Sequence, residues 1–204
     1  MLDSKKDIDK NSAVRCLQLL TNQNKNYWQP ILNNMGIEKL MALLREYCLS
    51  FAPKAKKVAV QDESDLEDSS KQQRYLDVLS VLCNISERTE IKQCLNQLKD
   101  VCDILIKILM HTNNEDMKSR VAILIADIAS YEVANKDVLA DNGCLTKLID
   151  LLESESEDVL VNAVNALEIL CKDNVKNQDH CCKHGVLENL VDLLALNSGN
   201  NVTK

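Results

Sequence analysis

The chain has 204 residues, a net charge of -7 and an aliphatic character, since 46% of its residues are apolar but only 3% are aromatic. It has no row of Lys and Arg interleaved with aromatic residues, which nucleic-acid-binding proteins use to hold phosphates. No stretch approaches the roughly 18 consecutive apolar residues of a membrane span, and the N-terminus has no apolar signal segment. We therefore expect neither a nucleic-acid partner nor a membrane partner.

An amphipathic helical phrase recurs four times along the chain. In each copy apolar residues stand at positions i, i+4 and i+7, the spacing that puts side chains on one face of a helix. The four stripes are Ala13, Leu17 and Leu20; Val78, Leu82 and Ile85; Val121, Ile125 and Ile128; and Ala163, Leu167 and Leu170.

A Leu-rich phrase follows each of these stripes, with a leucine 23 residues after the middle residue of the stripe. Its equivalent leucines lie 65, 43 and 42 residues apart, and the first spacing becomes 43 if 22 residues are an insertion. These leucines are Leu40, Leu105, Leu148 and Leu190. Such repetition predicts a solenoid, in which each unit buries its apolar stripe against its neighbours.

Three glycines precede copies of the Leu-rich phrase, at Gly36, Gly143 and Gly185. Glycine there allows a short helix to turn sharply into a longer one. About a dozen residues separate each amphipathic helix from its glycine, which is enough for one short helix and two turns. The repeat is therefore predicted to contain three helices.

These boundaries predict six segments. They are a partial first repeat at 1–49, an inserted charged loop at 50–72, a second repeat at 73–110, a third at 111–153, a fourth at 154–196 that lacks its closing helix, and a disordered tail at 197–204. Both ends resemble cuts through a longer solenoid. Apolar surface should therefore be exposed on the terminal helices, which predicts self-association.

Nine cysteines are scattered through predicted helical positions. An odd number argues against a disulfide framework, and a buried thiol behaves as a small apolar side chain in a reducing compartment. We expect a cytoplasmic protein. The run Lys54, Lys56 and Lys57 could instead be a nuclear address, although ordinary solvated lysines explain it better.

The predicted loop contains five carboxylates within residues 62–68. Ser64 has acidic residues at i+1 and i+3, a context that acid-directed kinases favour, so it is a phosphorylation candidate. The alternative is a solvated loop with no regulatory role. A phosphate would add a charge of about -2 to an already anionic segment.

The strongest concentration of metal-ligand residue types lies at 179–184, with His180, Cys181, Cys182 and His184. On a helix the two histidines share a face while the cysteines point in other directions, so four ligands cannot converge. Cys181 also stands in the column of Ile31 and Leu139, which indicates a core position. We expect no metal, no cofactor and no catalytic residues, because nucleophile and phosphate-binding motifs are missing as well.

The three-helix period of about 42 residues, the Gly turn and the sequence LeuCysAsnIleSer at 82–86 together resemble the armadillo-repeat family. The resemblance covers nearly the whole chain. It implies an all-α, right-handed α-solenoid of about four partial armadillo-type three-helix repeats. Vertebrate proteins that join ankyrin repeats to armadillo repeats are one candidate parent.

In armadillo proteins the third helices line the concave face, and an Asn there often binds the backbone of an extended partner. The resemblance places Asn84 at that position, with Leu19, Asp127 and Ile169 as its equivalents. Neighbouring positions on the same face add Ser80, Arg88, Ile123, Tyr131 and Asn165. The Trp that nuclear import adaptors carry four residues before the Asn is missing.

The predicted function is a non-enzymatic protein-interaction scaffold that binds an extended peptide segment of a protein partner along this face. Asn suits the task because its carbonyl and amide groups can pair with one peptide N–H and one C=O. The alternative is a structural segment of a larger repeat protein or assembly, which docks through its terminal helices and has no peptide groove.

Overall fold

A computed structural model describes residues 2–51 and 64–199, and within them the side chains of residues 9–24, 26–51 and 69–195. The described residues form helices and turns and contain no β-strand. They divide into two compact units, Met1–Thr112 and Asn113–Lys204. Each unit is described separately below.

Unit 1 contains six α-helices and one 3-10 turn, Lys25–Tyr27, among its described residues. The helices are α1 (Leu2–Gln23), α2 (Trp28–Asn33), α3 (Gly36–Ser50), α4 (Ser64–Ile85), α5 (Thr89–Gln97) and α6 (Val101–His111). The long helices α1 and α4 pack along each other, and α3 packs against α4 and α6. This is the predicted order of one long helix followed by a short and a medium one.

Unit 2 repeats the same order. Its helices are α7 (Glu115–Tyr131), α8 (Val133–Asp141), α9 (Cys144–Asp150), α10 (Glu157–Cys171), α11 (Val175–Lys183) and α12 (Val186–Gly199). Two of the helix starts follow from the sequence, since the side chains of Asn114 and Asn174 accept hydrogen bonds from Met117 N and Asn177 N and so cap α7 and α11. The long helices α7 and α10 pack along each other.

The predicted apolar stripes form the core in three of their four copies. Every stripe residue of α4, α7 and α10 is at most 5% exposed. In α1, by contrast, Ala13 is exposed and Leu20 is half exposed, while Val14 and Thr21 are buried. The equivalent leucines of the Leu-rich phrases are likewise buried in three of their four copies. Leu40, Leu105 and Leu148 are buried, but Leu190 is only partly buried.

Two of the three predicted glycine turns have the expected backbone. Gly143 and Gly185 are left-handed, with φ of 83° and 76°, a conformation that strains residues with a Cβ. In the first copy the left-handed residue is instead Met35, with φ of 54°. Gly36 serves a different purpose, because a Cβ there would lie 2.5 Å from Cγ2 and 2.6 Å from the carbonyl oxygen of Ile31.

Residues 64–72 of the inserted loop predicted at 50–72 are helical instead, because helix α4 begins at Ser64. The acidic composition that indicated a loop also suits the first turn of a helix, where the helix dipole favours negative charge. The predicted tail is likewise helical at residues 197–199. The Ser64 side chain, the three lysines of the basic run and residues 200–204 lie outside the described part.

Two buried asparagines join consecutive helices of unit 2, a feature that the sequence analysis missed. Asn135 Nδ2 donates to the carbonyl of Ile128, 2.8 Å away, and Asn177 Nδ2 donates to the carbonyl of Leu170, 2.9 Å away. Both acceptors lie in the last turn of a long helix, where carbonyls have no partner within the helix. The two asparagines stand 42 residues apart, so the repeat register could have revealed them.

An ion pair joins α3 to the start of α6 in unit 1. The Arg45 guanidinium holds both carboxylate oxygens of Asp100, with a distance of 2.7 Å between Nη2 and Oδ1. The hydrogen bonds from Arg45 lower the pKa of Asp100 below its ordinary value. The two side chains are 38% and 42% exposed, so water screens their attraction.

We expect Asp100→Asn to lower the free energy of unfolding by about 0.5–1 kcal/mol at pH 7, the range for exposed ion pairs with good geometry. A lowered folded pKa stabilises the protein above the unfolded pKa, and this stabilisation is lost as pH falls through the folded pKa. The difference from wild type should therefore shrink below about pH 4. Urea unfolding followed by Trp28 fluorescence at pH 7 and pH 3 measures it, and equal differences at both pH values would contradict the assignment.

Candidate functional site

The predicted binding residues of α4 and of the turn that follows it are largely engaged inside unit 1. Ser80 is 4% exposed, and its hydroxyl donates to the carbonyl of Leu76 at 2.7 Å. Asn84 is partly exposed, and its Nδ2 donates to Thr21 Oγ1 at 3.1 Å. Arg88 is exposed but donates to Asn26 Oδ1 at 2.9 Å. The Ser80 bond lies within α4, the Asn84 bond joins α4 to α1, and the Arg88 bond joins the turn after α4 to the 3-10 turn Lys25–Tyr27.

The Asn84 contact changes how this residue can be tested. Thr21 itself donates to the carbonyl of Leu17, at 2.8 Å, so the Asn84 amide belongs to a short hydrogen-bonded chain that links the two helices. Removing the Asn84 amide would weaken the packing of α1 on α4 as well as any partner contact. A binding test at Asn84 alone therefore cannot separate the two effects.

The predicted residues of unit 2 are more accessible. Ile123, Asp127 and Tyr131 in α7 and Ile169 in α10 are partly exposed, and Asn165 in α10 is exposed. We call these five residues the unit 2 stripe. The rest of α7 is mostly core, with buried residues Met117, Ser119, Val121, Ala122, Leu124, Ile125, Ala126, Ile128 and Ala129.

A hydrogen bond shows how the two rows of the unit 2 stripe are related. Asn162 Nδ2 in α10 donates to Ser119 Oγ in α7, at 2.9 Å. One row of the stripe lies on α7 and the other on α10. Ser119 stands four residues before Ile123 on α7, and Asn162 stands three residues before Asn165 on α10, so each extends its row by one helical turn toward the N-terminus. The bond therefore joins the two rows at their N-terminal ends.

The cluster at 179–184 has the predicted helical arrangement. The rings of His180 and His184 stack with centroids 4.1 Å apart, and His184 Nδ1 donates to the carbonyl of His180 at 2.7 Å. Burial, followed by the charges of His184 and Lys183, lowers the pKa of His180. Cys181 is 5% exposed, and its column partners Ile31 and Leu139 are also buried, which confirms the core position.

Metal ligands do not converge in the described residues, where no three His, Cys, Asp or Glu side chains form a possible metal site. Cys182 points away from the core and is exposed, whereas Cys181 lies 3.4 Å, Sγ to Sγ, from Cys171. This thiol contact is a second feature that the sequence analysis missed. Its members belong to different helices, so the repeat pattern alone gave no indication of it.

Exposed apolar surface is present on the terminal helices, as predicted. In unit 1 an N-terminal groove between α1, α2 and α3 is lined by Leu17, Leu20, Tyr27, Pro30 and Ile31. In unit 2 a C-terminal groove between α10 and α12 is lined by Leu160, Val161, Val164, Leu190, Leu193 and Leu194. Self-association through these grooves stays a prediction.

Across residues 2–51 and 64–199, none of the helices combines the length and the apolar character needed to cross a bilayer. The cytoplasmic or nuclear location predicted from the sequence stays a prediction.

Comparison with known sequences identifies the repeat. Residues 133–172, from α8 to the end of α10, match the family model of the armadillo/beta-catenin-like repeat. The chain is 30% identical over 170 residues to the human (Homo sapiens) ankyrin and armadillo repeat-containing protein and 27% identical over 174 residues to the mouse (Mus musculus) protein of that name. These matches cover 79% and 85% of this chain but only 9% and 10% of the relatives' length.

Solved structures with the same fold include designed armadillo repeat proteins. One, YIII(Dq)4CqI, has a TM-score of 0.67 and 23% identity, and the match covers 90% of this chain and 67% of the other. Another, YIII(Dq.V1)4CPAF in complex with peptide (KR)4, has a TM-score of 0.66 and 20% identity, with coverage of 98% and 75%. The predicted all-α solenoid is thereby confirmed, and the armadillo repeat matched at residues 133–172 makes the chain similar to armadillo-repeat proteins in sequence as well as in fold.

Proposed function

We propose that the chain is a non-enzymatic protein-interaction scaffold that binds an extended peptide segment of a protein partner along the third helices of its repeats. The observation that carries the proposal is the unit 2 stripe, which runs as two accessible rows on two packed helices. Its amide, carboxylate, aromatic and aliphatic groups stand on a rigid base, because most other residues of α7 are buried.

The chemistry of the stripe suits a peptide. Asn165 can donate to a peptide carbonyl and accept from a peptide N–H. Asp127 can accept from an amide or a basic side chain, while Tyr131, Ile123 and Ile169 offer apolar contact. Packed helices lie about 8–10 Å apart and an extended chain advances about 3.3 Å per residue. Contacts from α7 and α10 would therefore fall two or three peptide residues apart.

Charge favours a neutral or basic peptide. The chain carries a net charge of -7, which attracts basic segments and speeds their encounter at low salt. The structure of a designed protein of the same fold has been solved in complex with peptide (KR)4. That complex supports the choice of basic peptides as test ligands for the present chain.

The proposal predicts that the unit 2 stripe determines peptide affinity. Peptides selected from a displayed random library should bind the wild-type chain, and Asp127→Ala, Tyr131→Ala and Asn165→Ala combined should raise Kd at least tenfold. Loss of two hydrogen bonds, each worth about 0.5–1.5 kcal/mol, together with the apolar contact of Tyr131 accounts for this change, since about 1.4 kcal/mol corresponds to a tenfold change in Kd. Fluorescence anisotropy of a labelled selected peptide measures Kd.

A control variant removes exposed side chains from the short helices of the same unit. Val138→Ala in α8 combined with Asp179→Ala in α11 should leave Kd within about twofold of wild type, since neither residue belongs to the stripe. Far-UV circular dichroism checks that both variants are folded. Equal affinity of the wild-type chain and the stripe variant would overturn the groove assignment.

The alternative function is that of a structural segment within a larger repeat protein or assembly. It is favoured by the C-terminal groove, where Val161 is 59% and Leu194 is 70% exposed. It is also favoured by the relatives, of whose length the chain spans about a tenth. In this case the grooves would be covered by further repeats or by a second copy, and the stripe would bind nothing.

Light scattering tests whether the C-terminal groove associates. If it does, the apparent mass of the wild-type chain should rise with concentration, and Val161→Glu should suppress the rise because a charge would be buried in the contact. Val175→Glu, at a 70% exposed position of α11 outside the groove, should leave the rise unchanged. A constant monomer mass up to high micromolar concentration would count against self-association.

A further inference from the structure

Two cysteines of unit 2 approach each other across the turn between α10 and α11. Cys171 is the last residue of α10, Cys181 lies in α11, and their sulfur atoms are 3.4 Å apart. Both are free thiols. To form a disulfide, the sulfur atoms need to approach by about 1.4 Å, to a bond length of about 2.05 Å.

The turn that carries the two thiols is held by several hydrogen bonds. Gln178 Nε2 donates to the carbonyl of Cys171 at 2.8 Å, and Asn177 Nδ2 donates to the carbonyl of Leu170 at 2.9 Å. Asn174 caps α11. Because both ends of the turn are fixed, the thiols are held near each other in the folded unit and need no large rearrangement to react.

The two thiols differ in character. Cys171 is partly exposed, whereas Cys181 is 5% exposed. A hydrogen bond from the Cys181 thiol lowers the pKa of Cys171 despite partial burial, and the Lys136 ammonium lowers it further. The same contact and burial raise the pKa of Cys181. The accessible sulfur is therefore the better nucleophile, and the buried one stays a protonated thiol.

We propose that Cys171 and Cys181 form a redox-responsive pair that a peroxide converts into an intramolecular disulfide. The Cys171 thiolate attacks one peroxide oxygen, the O–O bond breaks, and hydroxide leaves with a sulfenic acid remaining on Cys171. The Cys181 sulfur then attacks the Cys171 sulfur and displaces the hydroxyl group. That group departs as water with the Cys181 proton. Overall, two thiols and one hydrogen peroxide give one disulfide and two waters.

The consequence would be a covalent link between α10 and α11. Helix α10 carries Asn165 and Ile169 of the unit 2 stripe, so oxidation would fix the C-terminal end of one stripe row to the next short helix. A third cysteine, Cys182, is exposed and adjacent in sequence to Cys181. It provides a matched control, because it shares the local sequence but lacks the contact with Cys171.

The experiment is peptide mapping of the whole chain after treatment with hydrogen peroxide and alkylation of the remaining thiols. Trypsin cuts after Lys172, Lys176 and Lys183, so Cys171 falls in one peptide and Cys181 with Cys182 in another. We expect these two peptides to be linked, with the alkyl group on Cys182. A thiol reductant should separate them. Cys182→Ser should preserve the link, and Cys181→Ser should abolish it.

The Cys181→Ser variant also tests the order of the steps. Without a resolving thiol, Cys171 should retain its sulfenic acid long enough for dimedone to label it several-fold more than in wild type. A link through Cys182, or oxidation of exposed Cys16 and Cys182 while Cys171 stays reduced, would overturn the proposal. Irreversible oxidation of Cys171 in wild type with no link to Cys181 would overturn it as well.

Discussion

Leu148→Ala is expected to lower the free energy of unfolding by about 2–5 kcal/mol, the range for a buried leucine whose loss leaves a cavity. Leu148 stands in the repeated column of the Leu-rich phrases and is 0% exposed. It lies in α9, which packs against α8, α10 and α11. Urea unfolding followed by far-UV circular dichroism measures the change.

Leu190→Ala is the matched control, because Leu190 occupies the same column in the next copy of the repeat. This leucine lines the C-terminal groove and is only partly buried. The substitution removes less buried apolar surface here, and water can fill the space. It should therefore lower the free energy of unfolding by only about 1 kcal/mol. Equal losses at the two positions would show that the column is packed to the same degree in both copies, contrary to the structure.

Asn135→Ala is expected to lower the free energy of unfolding by about 1–3 kcal/mol. The substitution leaves the buried carbonyl of Ile128 without its hydrogen-bond donor, and an unpaired buried group costs more than the net value of an ordinary hydrogen bond. The loss should arise with little change in helix content, since Ala is a good helix former.

Asn142→Ala tests whether burial is the cause. Asn142 Nδ2 donates to the carbonyl of Val138 at the same distance, 2.8 Å, but in an exposed setting where water can replace it. We expect a change of less than about 0.5 kcal/mol. Thermal and urea unfolding of the two variants side by side provide the measurement, and a similar loss in both would show that burial of the Asn135 bond is not the cause.

The two asparagines also hold the C-terminal ends of the helices that carry the unit 2 stripe. Asn135 and Asn177 each join the last turn of a long helix to the short helix that follows. The stripe residues lie on those long helices. A peptide-binding assay of Asn135→Ala at a temperature where it is fully folded would therefore show whether fixing the helix ends contributes to affinity.

The repeat register was sufficient to predict the elements of the fold. Columns such as Leu82 and Ile125 recur at a fixed period, and helical geometry converts that period directly into a buried face. The same reasoning predicted that Cys181 belongs to the core and that its histidine neighbours share a helix face. The prediction of a loop at residues 64–72 was wrong. It depended on the acidic composition, which suits both a loop and the first turn of a helix.

The candidate site was only partly predictable. Sequence reasoning ranked Asn84 first, but its amide contacts Thr21, 63 residues away along the chain. The short contact between Cys171 and Cys181 depends on how two helices meet at a turn. Neither contact follows from periodicity, which describes the direction of a side chain on its own helix and carries no information about the atoms opposite.

The sequence by itself thus determined the all-α repeat fold, its three-helix unit and the apolar columns of its core, because these depend on short-range spacing along the chain. Only the tertiary structure decided which polar groups stay accessible. Ser80 is enclosed and Asn84 is partly engaged, whereas the unit 2 stripe remains accessible, although it includes the repeat equivalents of both residues. The physical reason is that accessibility depends on the particular side chains that neighbouring helices bring into contact, and these differ from copy to copy.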